Sequence, residues 1–503
     1  MLAKCYTTAL MGIQAYLVEV EVDISRGLPN FNIVGLPDTA VREAKERITA
    51  AIKNSQFNFP LGKITVNLAP ADIRKEGSSF DLPMAIGILK ATGIITKNDL
   101  SSYIILGELA LDGEIRRING ALPMVLEIRK KIKKVILPLD NAQEASVIEG
   151  IEVYPVKNLS QAVKFFNKEL VIKPYRCDLK EALRKNSSYE VDFSEVRGQH
   201  HVKRALEIAA SGGHNILMIG PPGAGKTMLA RRIPTILPEI SLEEAIETTK
   251  LHSVAGLLKP HQALVGTRPF RAPHHTISEA GLIGGGRIPR PGEISLSHNG
   301  VLFLDELSEF PRYVLESLRQ PLEDGVVTIS RALTSISYPA RFMLVAAMNP
   351  CPCGYFGDPS HQCNCTPLQI QNHLNKISGP LLDRIDIHIE VRAVKKEELW
   401  SKKRGEPSSK IRERVNKARA IQLKRFKKMS IYCNAGMSPK HIRRFCPLDK
   451  DAEELLHTAI SELSLSARAY HKVLKISRTI ADLEEKEEIN SSHISEALQY
   501  RCL

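Results

Sequence analysis

An eight-residue run rich in glycine has the composition of a phosphate-binding loop: Gly220, Pro221, Pro222, Gly223, Ala224, Gly225, Lys226 and Thr227. Its glycines allow the backbone to wrap around a triphosphate with the N–H groups pointing inward. The lysine would reach the β- and γ-phosphates, and the threonine hydroxyl would ligate Mg²⁺. An apolar run, NILMI, precedes the loop and a helical segment, MLARRI, follows it, which is the context that such a loop requires. The sequence therefore predicts a site for ATP and Mg²⁺.

A pair of acids follows a second apolar run, VLFL, further along the chain. Asp305 would hold the magnesium ion, and Glu306 would polarise the water that attacks the γ-phosphate. The alternative is that two acids after an apolar strand only cap a helix. Their position after Thr227, in a region of alternating strands and helices, favours the catalytic interpretation.

An asparagine ends a third apolar run, ARFMLVAAMN. The side-chain amide of Asn349 would hold the attacking water between Glu306 and the γ-phosphate. Taken alone, an asparagine at the end of a strand is usually a turn residue. The order of the motifs along the chain, rather than Asn349 itself, supports the functional role.

Two arginines are candidates for contacts with the transition state. Arg384 follows a short helix in SGPLLDRIDIHIEV, where it would complete the site of a neighbouring subunit and neutralise charge there. Its alternative is an ion pair with Asp383 or Asp386. Arg468 lies at the start of a C-terminal helix, where it would contact the γ-phosphate or simply be a solvated helix residue.

Four cysteines in two C-x-C pairs flank a nine-residue loop rich in glycine, proline and aspartate. Such a loop is able to fold back and bring four thiolates together, and four sulfurs suit tetrahedral Zn²⁺. The alternative is four thiols that never bind a metal. The hypothesis is a structural zinc site, with His361 as the substitute ligand if one cysteine is unused. The cysteines are Cys351, Cys353, Cys363 and Cys365.

Three regions that differ in their pattern of apolar and polar residues must position these side chains. Strands and amphipathic helices alternate over 1–172, and the polar segment 173–192 is the predicted linker. Short apolar runs followed by helices over 193–393 predict a parallel α/β sheet, whose ligands bind beyond the carboxyl ends of the strands. Residues 394–503 are predicted to be helical only. We therefore expect a multidomain protein with α/β and α+β parts.

The composition of the 503 residues favours a polyanionic partner. The formal net charge is +13, and residues 395–428 contain fourteen lysines and arginines against four glutamates. Ile411, Val415 and Ala418 mark a buried helical face there, which leaves the basic residues outside. The alternative is a basic helix face that is merely solvated. Because no apolar run approaches the ~18 residues of a membrane span, we expect a cytoplasmic protein with no membrane partner and reduced cysteines.

The chain from Phe193 to its end resembles the magnesium-chelatase branch of the AAA+ ATPases. The strings that carry the resemblance are RPFRAPHHTIS, PRPGEISLSHNGVLFLDELSEF, LRQPLEDGVVTISRA and AAMNPCPCG. The resemblance implies a helical lid at the C-terminus and a ring of six subunits with ATP between neighbours. It also assigns roles to single residues: Lys226, Thr227, Asp305 and Glu306 as Walker residues, Asn349 as sensor 1, Arg384 as arginine finger and Arg468 as sensor 2.

The same family carries two elements that face the central pore of its rings. One is an insert before the Walker B strand, here about 265–297, and the other is a hairpin around Arg331. Basic residues in both elements are candidate contacts with nucleic acid. Those in the insert are Arg268, Arg271, Arg287 and Arg290.

The N-terminal region resembles the proteolytic domain of Lon and the related S5-like folds. The strings KEGSSFDLPMAIGIL and GELALDGEIRRINGALPM carry the resemblance. Ser79 matches the family's nucleophile, but Leu122 stands where the family has its lysine base. Because a serine without a base is a poor nucleophile, we expect a non-catalytic module.

The Lon-like module, the chelatase-type ATPase, the cysteine pairs and the lid together cover the whole chain. The combination resembles the competence-associated branch-migration helicases of bacteria. It implies a homo-hexameric, ATP-driven translocase on branched, single-stranded or duplex DNA, acting in natural transformation with recombination proteins as possible partners. Two further readings remain open, a chelatase-type ATPase that remodels a protein partner and a Lon-like protease.

Overall fold

The computed structural model describes residues 2–185, 187, 189–286, 289–330, 335–394, 405–462 and 466–501. The chain forms two compact units. The first consists of Met1–Ser187 and Leu242–Gly266, and the second of Ser188–Ser241 and Thr267–Leu503. Residues 242–266 lie inside the range where the sequence predicts the ATPase sheet, yet they pack with the N-terminal unit. The C-terminal helices belong to the same unit as the ATPase sheet, because they share its core.

The first unit is built on a mixed seven-stranded sheet with the order β3-β4-β2-β1-β5-β8-β9. Strand β2 shows why the sequence forms this sheet. Its valines Val18, Val20 and Val22 are fully buried, while the acidic residues between them point to the other face. The strands are β1 Leu2–Met11, β2 Gln14–Ser25, β3 Asn30–Val34, β4 Lys63–Ala69, β5 Tyr103–Ile105, β8 Lys134–Pro138 and β9 Glu152–Val156, with a separate hairpin of β6 Glu108–Leu109 and β7 Ile115–Arg116.

Helices cover this sheet, and their apolar residues form two buried clusters. The predicted amphipathic helix over VREAKERITAAIKNS is present as α1, and the Asp38 carboxylate accepts a hydrogen bond from the Val41 N–H at its start, at 2.8 Å. The helices of the first unit are α1 Thr39–Asn54, α2 Asp81–Ala91, α3 Ala121–Ile128, α4 Ala142–Ala145, α5 Leu159–Phe166, α6 Leu179–Lys185 and, after α7 and α8 of the second unit, α9 Leu242–Val254.

The second unit contains the predicted parallel sheet, with the strand order β11-β14-β17-β10-β18. Strands β10, β14 and β17 are buried at every residue, as expected for parallel strands covered on both faces. The strands are β10 Ile216–Ile219, β11 Phe270–Arg271, β14 Val301–Leu304, β17 Met343–Met348 and β18 Ile387–Glu390. All of their pairings are parallel, so their carboxyl ends meet at one edge.

Two short antiparallel ribbons accompany this sheet. Strands β12 Gly284–Gly285 and β13 Arg290–Pro291 pair within the predicted insert. Strands β15 Val326–Ser330 and β16 Ser335–Pro339 form the hairpin predicted around Arg331. Arg331 itself and Arg287 of the insert lie outside the described residues.

Helices from both ends of the second unit enclose the sheet in one continuous apolar core. That core joins Ile216 and Val345 of the strands to Val473 and Ile480 of a C-terminal helix. The helices are α7 His200–Gly212, α8 Lys226–Ile236, α10 Glu279–Ile283, α11 Glu293–Leu296, α12 Arg312–Glu316, α13 Arg319–Asp324, α14 Pro367–Leu374, α15 Gly379–Leu382, α16 Ser408–Arg425, α17 Pro439–Phe445, α18 Lys450–Glu462, α19 Ala467–Leu483 and α20 Ser491–Gln499. Within the described ranges, none of the helices combines the length and apolar character that crossing a membrane requires.

Candidate active site

The glycine-rich loop connects buried strand β10 to helix α8, which begins at Lys226. Gly223 and Gly225 adopt φ angles of 77° and 89°, which favour glycine and let the backbone N–H groups turn inward. A Cβ atom at Gly220 would lie 2.0 Å from the carbonyl oxygen of Val391, so this position also excludes a side chain. The loop therefore has the backbone geometry that the sequence predicts.

The Lys226 ammonium group lies inside this loop. It donates to the carbonyl oxygens of Gly220 at 2.6 Å and Pro221 at 2.9 Å, and to Asn349 Oδ1 at 3.1 Å. Burial lowers the pKa of Lys226, and the nearby carboxylates of Asp305 and Glu306 oppose that shift. A phosphate group would be a stronger partner for this cation than the neutral oxygens that surround it.

Two oxygen donors lie together at the carboxyl ends of the strands. The Thr227 hydroxyl donates to Asp305 Oδ2 at 2.6 Å, although the two residues are 78 positions apart in the sequence. A hydroxyl and a carboxylate are hard oxygen ligands, which Mg²⁺ prefers. The donor set fits the predicted metal, which the residues Thr227 and Asp305 would hold together with phosphate oxygens.

Glu306 adopts a left-handed backbone conformation, with φ of 51°, directly after β14. Its carboxylate is more than half exposed and lies 3.3 Å from the Nδ1 atom of His275. The His275 ring also packs edge-on against Phe310. Sequence reasoning missed this contact, because only the fold brings the insert that carries His275 next to the acidic pair.

Asn349 lies at the end of β17, between the glycine-rich loop and helix α14. Its side chain accepts from Lys226, and its carbonyl oxygen accepts from His373 Nε2 at 3.1 Å. Glu306, Asn349, His373 and other residues of α14 line a cavity of about 600 Å³. The structure thus brings the loop, the acidic pair and Asn349 to one edge of the sheet, and the cavity lies beside Glu306 and Asn349.

Arg384 lies at the opposite edge of the same sheet. Its carbonyl oxygen accepts from Asn215 Nδ2 at 2.9 Å, and Asn215 immediately precedes β10, whereas the glycine-rich loop follows β10. Four strand residues, about 13 Å, separate the two ends of β10. The distance is longer than an arginine side chain, so Arg384 does not join the site of its own chain.

Both candidate arginines contact acidic residues of their own chain. The Arg384 guanidinium pairs with Glu323 rather than with Asp383 or Asp386, and it donates to Pro380 O at 2.6 Å. Arg468 Nη1 lies 3.7 Å from Asp383 Oδ2, next to Arg384 in the chain. Both arginines are therefore found at the edge away from the glycine-rich loop.

The four cysteines meet as the C-x-C spacing predicts, and their sulfur atoms all lie within 4.8 Å of one another. Individual Sγ–Sγ distances are 3.3 Å between Cys351 and Cys353, 3.7 Å between Cys351 and Cys363, and 3.5 Å between Cys353 and Cys363. His361, the substitute ligand, is not needed. Its Nδ1 contacts Asp358 instead, and its ring stacks on Tyr355.

In the first unit, the residue at the position of the Lon family's lysine base is buried. Leu122 is fully buried in the apolar cluster under α3, and the neighbouring Gly120 N–H donates to the carbonyl oxygen of Ser253 in α9 at 3.1 Å. The buried Glu144 carboxylate accepts from the Leu122 N–H at 2.9 Å. Burial raises the pKa of Glu144. Ser79 is also buried, and the leucine side chain at 122 has no group that could act as its base.

Several basic residues of the predicted nucleic-acid surfaces are engaged inside the protein, which corrects that part of the prediction. Arg268 donates to the carbonyl oxygen of Asn299 at 2.8 Å, and Arg271 forms a two-point ion pair with Glu293 at 2.6 Å. Arg425 is paired with the buried carboxylate of Asp482. Sequence composition counted these charges correctly, but it does not reveal which of them the fold neutralises.

On helix α16 the predicted buried face is confirmed, since Ile411, Val415 and Ala418 are all buried. Lys410, Lys417 and Lys424 are exposed on the rest of this helix. The basic residues at the start of the predicted stretch, within 395–404, lie outside the described residues.

Three family models of magnesium chelatase match nearly the whole chain. Residues 192–399 match "Magnesium chelatase, subunit ChlI", residues 20–141 match "Subunit ChlI of Mg-chelatase", and residues 405–501 match "Magnesium chelatase, subunit ChlI C-terminal". The chain is thus similar to this group along its N-terminal unit, its ATPase sheet and its C-terminal helices.

Individual relatives are similar over the full length. The competence protein ComM of Haemophilus influenzae is 47% identical over 506 residues, which cover 100% of this chain and 98% of the relative. The YifB protein of Escherichia coli is 44% identical, over 100% of this chain and 97% of its own length. The magnesium-chelatase 38 kDa subunit of Rhodobacter capsulatus is 30% identical over 177 residues, 31% of this chain and 50% of that subunit.

Proposed function

The chain belongs to the ComM/YifB family of magnesium-chelatase-like AAA+ proteins, and from this premise we propose that it is a cytoplasmic ATP hydrolase that works as a hexameric DNA translocase. The translocase promotes branch migration when incoming DNA recombines during natural transformation. The competence role is taken from the name of the full-length relative ComM. The proposal of ATP hydrolysis rests on one observation. Lys226, Thr227, Asp305 and Asn349 lie together at one edge of the sheet.

In the proposed mechanism each polar group at this edge has one task. Lys226 would exchange its carbonyl partners for the β- and γ-phosphates, and Thr227 and Asp305 would hold Mg²⁺. The ion, when bound, neutralises charge that develops on the phosphate oxygens. Glu306 accepts the proton of the attacking water, and the side chain of Asn349 orients that water toward the γ-phosphate.

The position of Arg384 supports a ring in which each site lies between two subunits. A nucleotide at the carboxyl edge of the sheet is beyond the reach of Arg384 from the same chain, as the length of β10 requires. In a head-to-tail ring, the opposite edge of one subunit faces the nucleotide edge of the next. Arg384, and Arg468 beside it, would then neutralise transition-state charge in the neighbour's site.

The basic charge supports DNA as the polymer on which the ring moves. The net charge of +13 favours a polyanion, and exposed lysines remain on α16 after the internally paired arginines are set aside. Arg290 lies exposed on the β12–β13 ribbon of the insert. We assign these residues to the phosphate backbone, which positions a protein on DNA without specifying sequence.

The decisive experiment measures the ATPase rate with forked, single-stranded and duplex DNA, and with no DNA. We expect DNA to stimulate hydrolysis and a junction-unwinding assay to show branch migration. The variant Lys226→Ala serves as the control for contaminating ATPases. If the wild-type protein binds none of the DNA substrates and its ATPase rate is the same with and without DNA, the result would favour the second candidate.

That second candidate is an ATPase that remodels a protein partner, and the similarity to the magnesium-chelatase 38 kDa subunit favours it over a protease. The match covers only 31% of this chain, however, and leaves out most of it. A Lon-like protease is a weaker candidate, since Leu122 is buried where a base is required. Casein hydrolysis tests the protease directly.

We also propose that the four cysteines bind a structural Zn²⁺. Four sulfur atoms within 4.8 Å of one another match a tetrahedral tetrathiolate, and four protein ligands leave no open position for catalysis. Metal analysis of protein purified without added zinc should give about one zinc per chain.

A further inference from the structure

The cysteine cluster is built into the nucleotide site rather than attached to it. Cys351 and Cys353 follow Asn349 at the end of β17, and Cys363 and Cys365 lead directly into α14, whose first turn is capped by Thr366. A single ion bound by all four sulfurs would therefore fasten the end of a catalytic strand to the start of a helix.

Backbone groups around the cluster are oriented for negatively charged sulfur. The Phe356 N–H donates to Cys351 Sγ at 3.3 Å, and the Cys353 N–H donates to Cys365 Sγ at 3.4 Å. All of residues 351–365 are described, and they contain neither helix nor strand. Because neutral thiols form only weak hydrogen bonds, such a loop needs the metal to hold its shape.

Helix α14 closes a ring of contacts back to the catalytic strand. At its far end His373 Nε2 donates to the carbonyl oxygen of Asn349 at 3.1 Å. The side chain of the same Asn349 holds Lys226 at 3.1 Å. The path from Asn349 through the cysteines and α14 therefore returns to Asn349.

A second contact joins the cluster to the phosphate loop. A Cβ atom built on Gly354, where φ is 88°, would lie 2.7 Å from Cδ of Pro222. The backbone between the two cysteine pairs thus packs directly on the glycine-rich loop. Displacement of the cluster would disturb both the loop and Asn349.

We propose that the zinc-bound loop 351–365 is a positioning element of the ATP site, which holds Asn349 and the phosphate loop in register so that hydrolysis depends on the metal. The proposal rests on the ATPase function proposed above and adds a metal-dependent control of that site. Asn349 remains the group that contacts the reacting water, and His373 is a positioning residue that acts through it.

The first test removes the metal from the side of the loop that is remote from Asn349. The double variant Cys363→Ser/Cys365→Ser should lose its zinc and at least about tenfold in kcat, which corresponds to a misplaced water-orienting group. Its affinity for a fluorescent ATP analogue should fall by only about threefold, because loss of the cluster disturbs the loop at Pro222 while Lys226 and the rest of the loop backbone still supply phosphate contacts. Cys177→Ser, in the first unit, is the matched control and should change neither zinc content nor kcat.

A second pair of variants leaves the four thiols intact in case the cysteine variant fails to fold. His373→Ala should keep its zinc but lower kcat, while His373→Gln, whose amide is able to donate to the Asn349 carbonyl, should restore most of the rate. Unchanged kcat in a zinc-free cysteine variant would overturn the proposal. Equal, wild-type rates in both His373 variants would also overturn it.

A third measurement does not depend on hydrolysis. If the cluster and the nucleotide site are coupled, each must affect the other by the same free energy. A non-hydrolysable ATP analogue with Mg²⁺ should therefore lower the Kd for zinc about threefold or more in wild-type protein, measured by equilibrium competition with a chromogenic chelator, and should have no effect in Lys226→Ala. A zinc affinity that does not change with the nucleotide would overturn the coupling, whereas a protein that shows this coupling without hydrolysis would overturn only the proposed ATPase.

Discussion

The polar side chains of the candidate active site bond to one another where a nucleotide and its metal would bind. Thr227 bonds Asp305, Lys226 bonds Asn349, and Glu306 contacts His275. Thr227 and Glu306 are exposed, and Lys226 also bonds two carbonyl oxygens of the loop, so none of these contacts is enclosed in the core. Binding of Mg²⁺ and ATP must therefore exchange these contacts, and the residues differ in what they lose when they are replaced.

The Walker residues should separate binding from chemistry. Lys226→Ala should lower ATP affinity about 100-fold or more, because it removes charge-assisted bonds to the phosphates. Glu306→Gln should retain affinity and lose about 10²–10⁴ in turnover, because it removes the base. Equilibrium binding of a fluorescent ATP analogue and steady-state ATPase rates measure the two effects, with Arg231→Ala on the exposed side of α8 as control. Equal affinity in Lys226→Ala and wild type would contradict the assignment.

His275 should restrain Glu306 in the absence of DNA. Replacement of His275 by alanine frees the carboxylate of an exposed contact, which is worth up to about 1 kcal/mol. We expect basal ATPase to rise about two- to fivefold, and stimulation by DNA to fall correspondingly. His274→Ala, whose ring bonds Thr276 instead, is the neighbouring control. A lower basal rate in His275→Ala would mean that His275 assists Glu306 in catalysis.

Among the single elements, helix α16 shows how the fold divides one basic segment into two roles. Its apolar face joins the core of the second unit, and Arg425 at its end donates to the fully buried Asp482 at 2.8 Å. Arg478 and Asn434 share the same carboxylate. A buried ion pair of this kind destabilises strongly when one partner is removed, whereas the exposed lysines do not contribute to the core.

The exposed lysines of α16 and the residues after it should control salt-dependent DNA binding. Reversal of charge at Lys424, Lys427 and Lys428 should reduce the log–log salt slope by about 0.9 for each lost phosphate contact on duplex, with no change in sequence preference or thermal stability. Fluorescence anisotropy over a salt series measures the slope.

Arg425→Ala is the internal comparison for that experiment, since it removes one neighbouring positive charge from the core instead of the surface. It should lower the stability of the second unit by about 3 kcal/mol or more and leave the slope of the folded protein unchanged. A wild-type slope in the lysine variant would show that α16 does not contact DNA.

For the molecule as a whole, the two edges of the parallel sheet separate residues that must act together. Walker residues and Asn349 follow the strands, whereas Arg384 precedes β18. One chain thus carries a nucleotide edge and an arginine edge that do not meet. A closed ring supplies each nucleotide edge with the arginine edge of a neighbour.

Mixed rings should reveal this arrangement. The Arg384→Ala variant should assemble with wild-type subunits and lower the turnover of the mixture by more than the fraction of variant subunits. The reason is that each missing arginine lowers the rate of the adjacent site by ~10³–10⁵. ATPase is measured over a titration of variant into wild type at constant total protein. A loss that is linear in the fraction of variant would indicate that Arg384 acts within its own chain or has no catalytic role.

The local structural elements of this protein could be predicted from the order of residues along the chain. Apolar runs that end in glycine, acids or asparagine specified β10, β14 and β17, because such runs are stable only when buried on both faces of a parallel sheet. The glycine spacing specified the phosphate loop, and the two C-x-C pairs specified a cluster, since both depend on short-range backbone geometry. The resemblance to Lon placed Leu122 at the position of that family's lysine base, and the absence of a basic group there is a property of one side chain.

Which distant groups meet depends on the folded chain and could not be predicted in this way. The contact of His275 with Glu306, the return of His373 to Asn349, and the placement of Arg384 at the far edge all join segments that no periodicity relates. The neutralisation of Arg268, Arg271 and Arg425 depends on acids and carbonyls supplied by other elements. The packing of 242–266 with the N-terminal unit has the same origin, because a helix pattern reveals an apolar face but not the surface that will bury it.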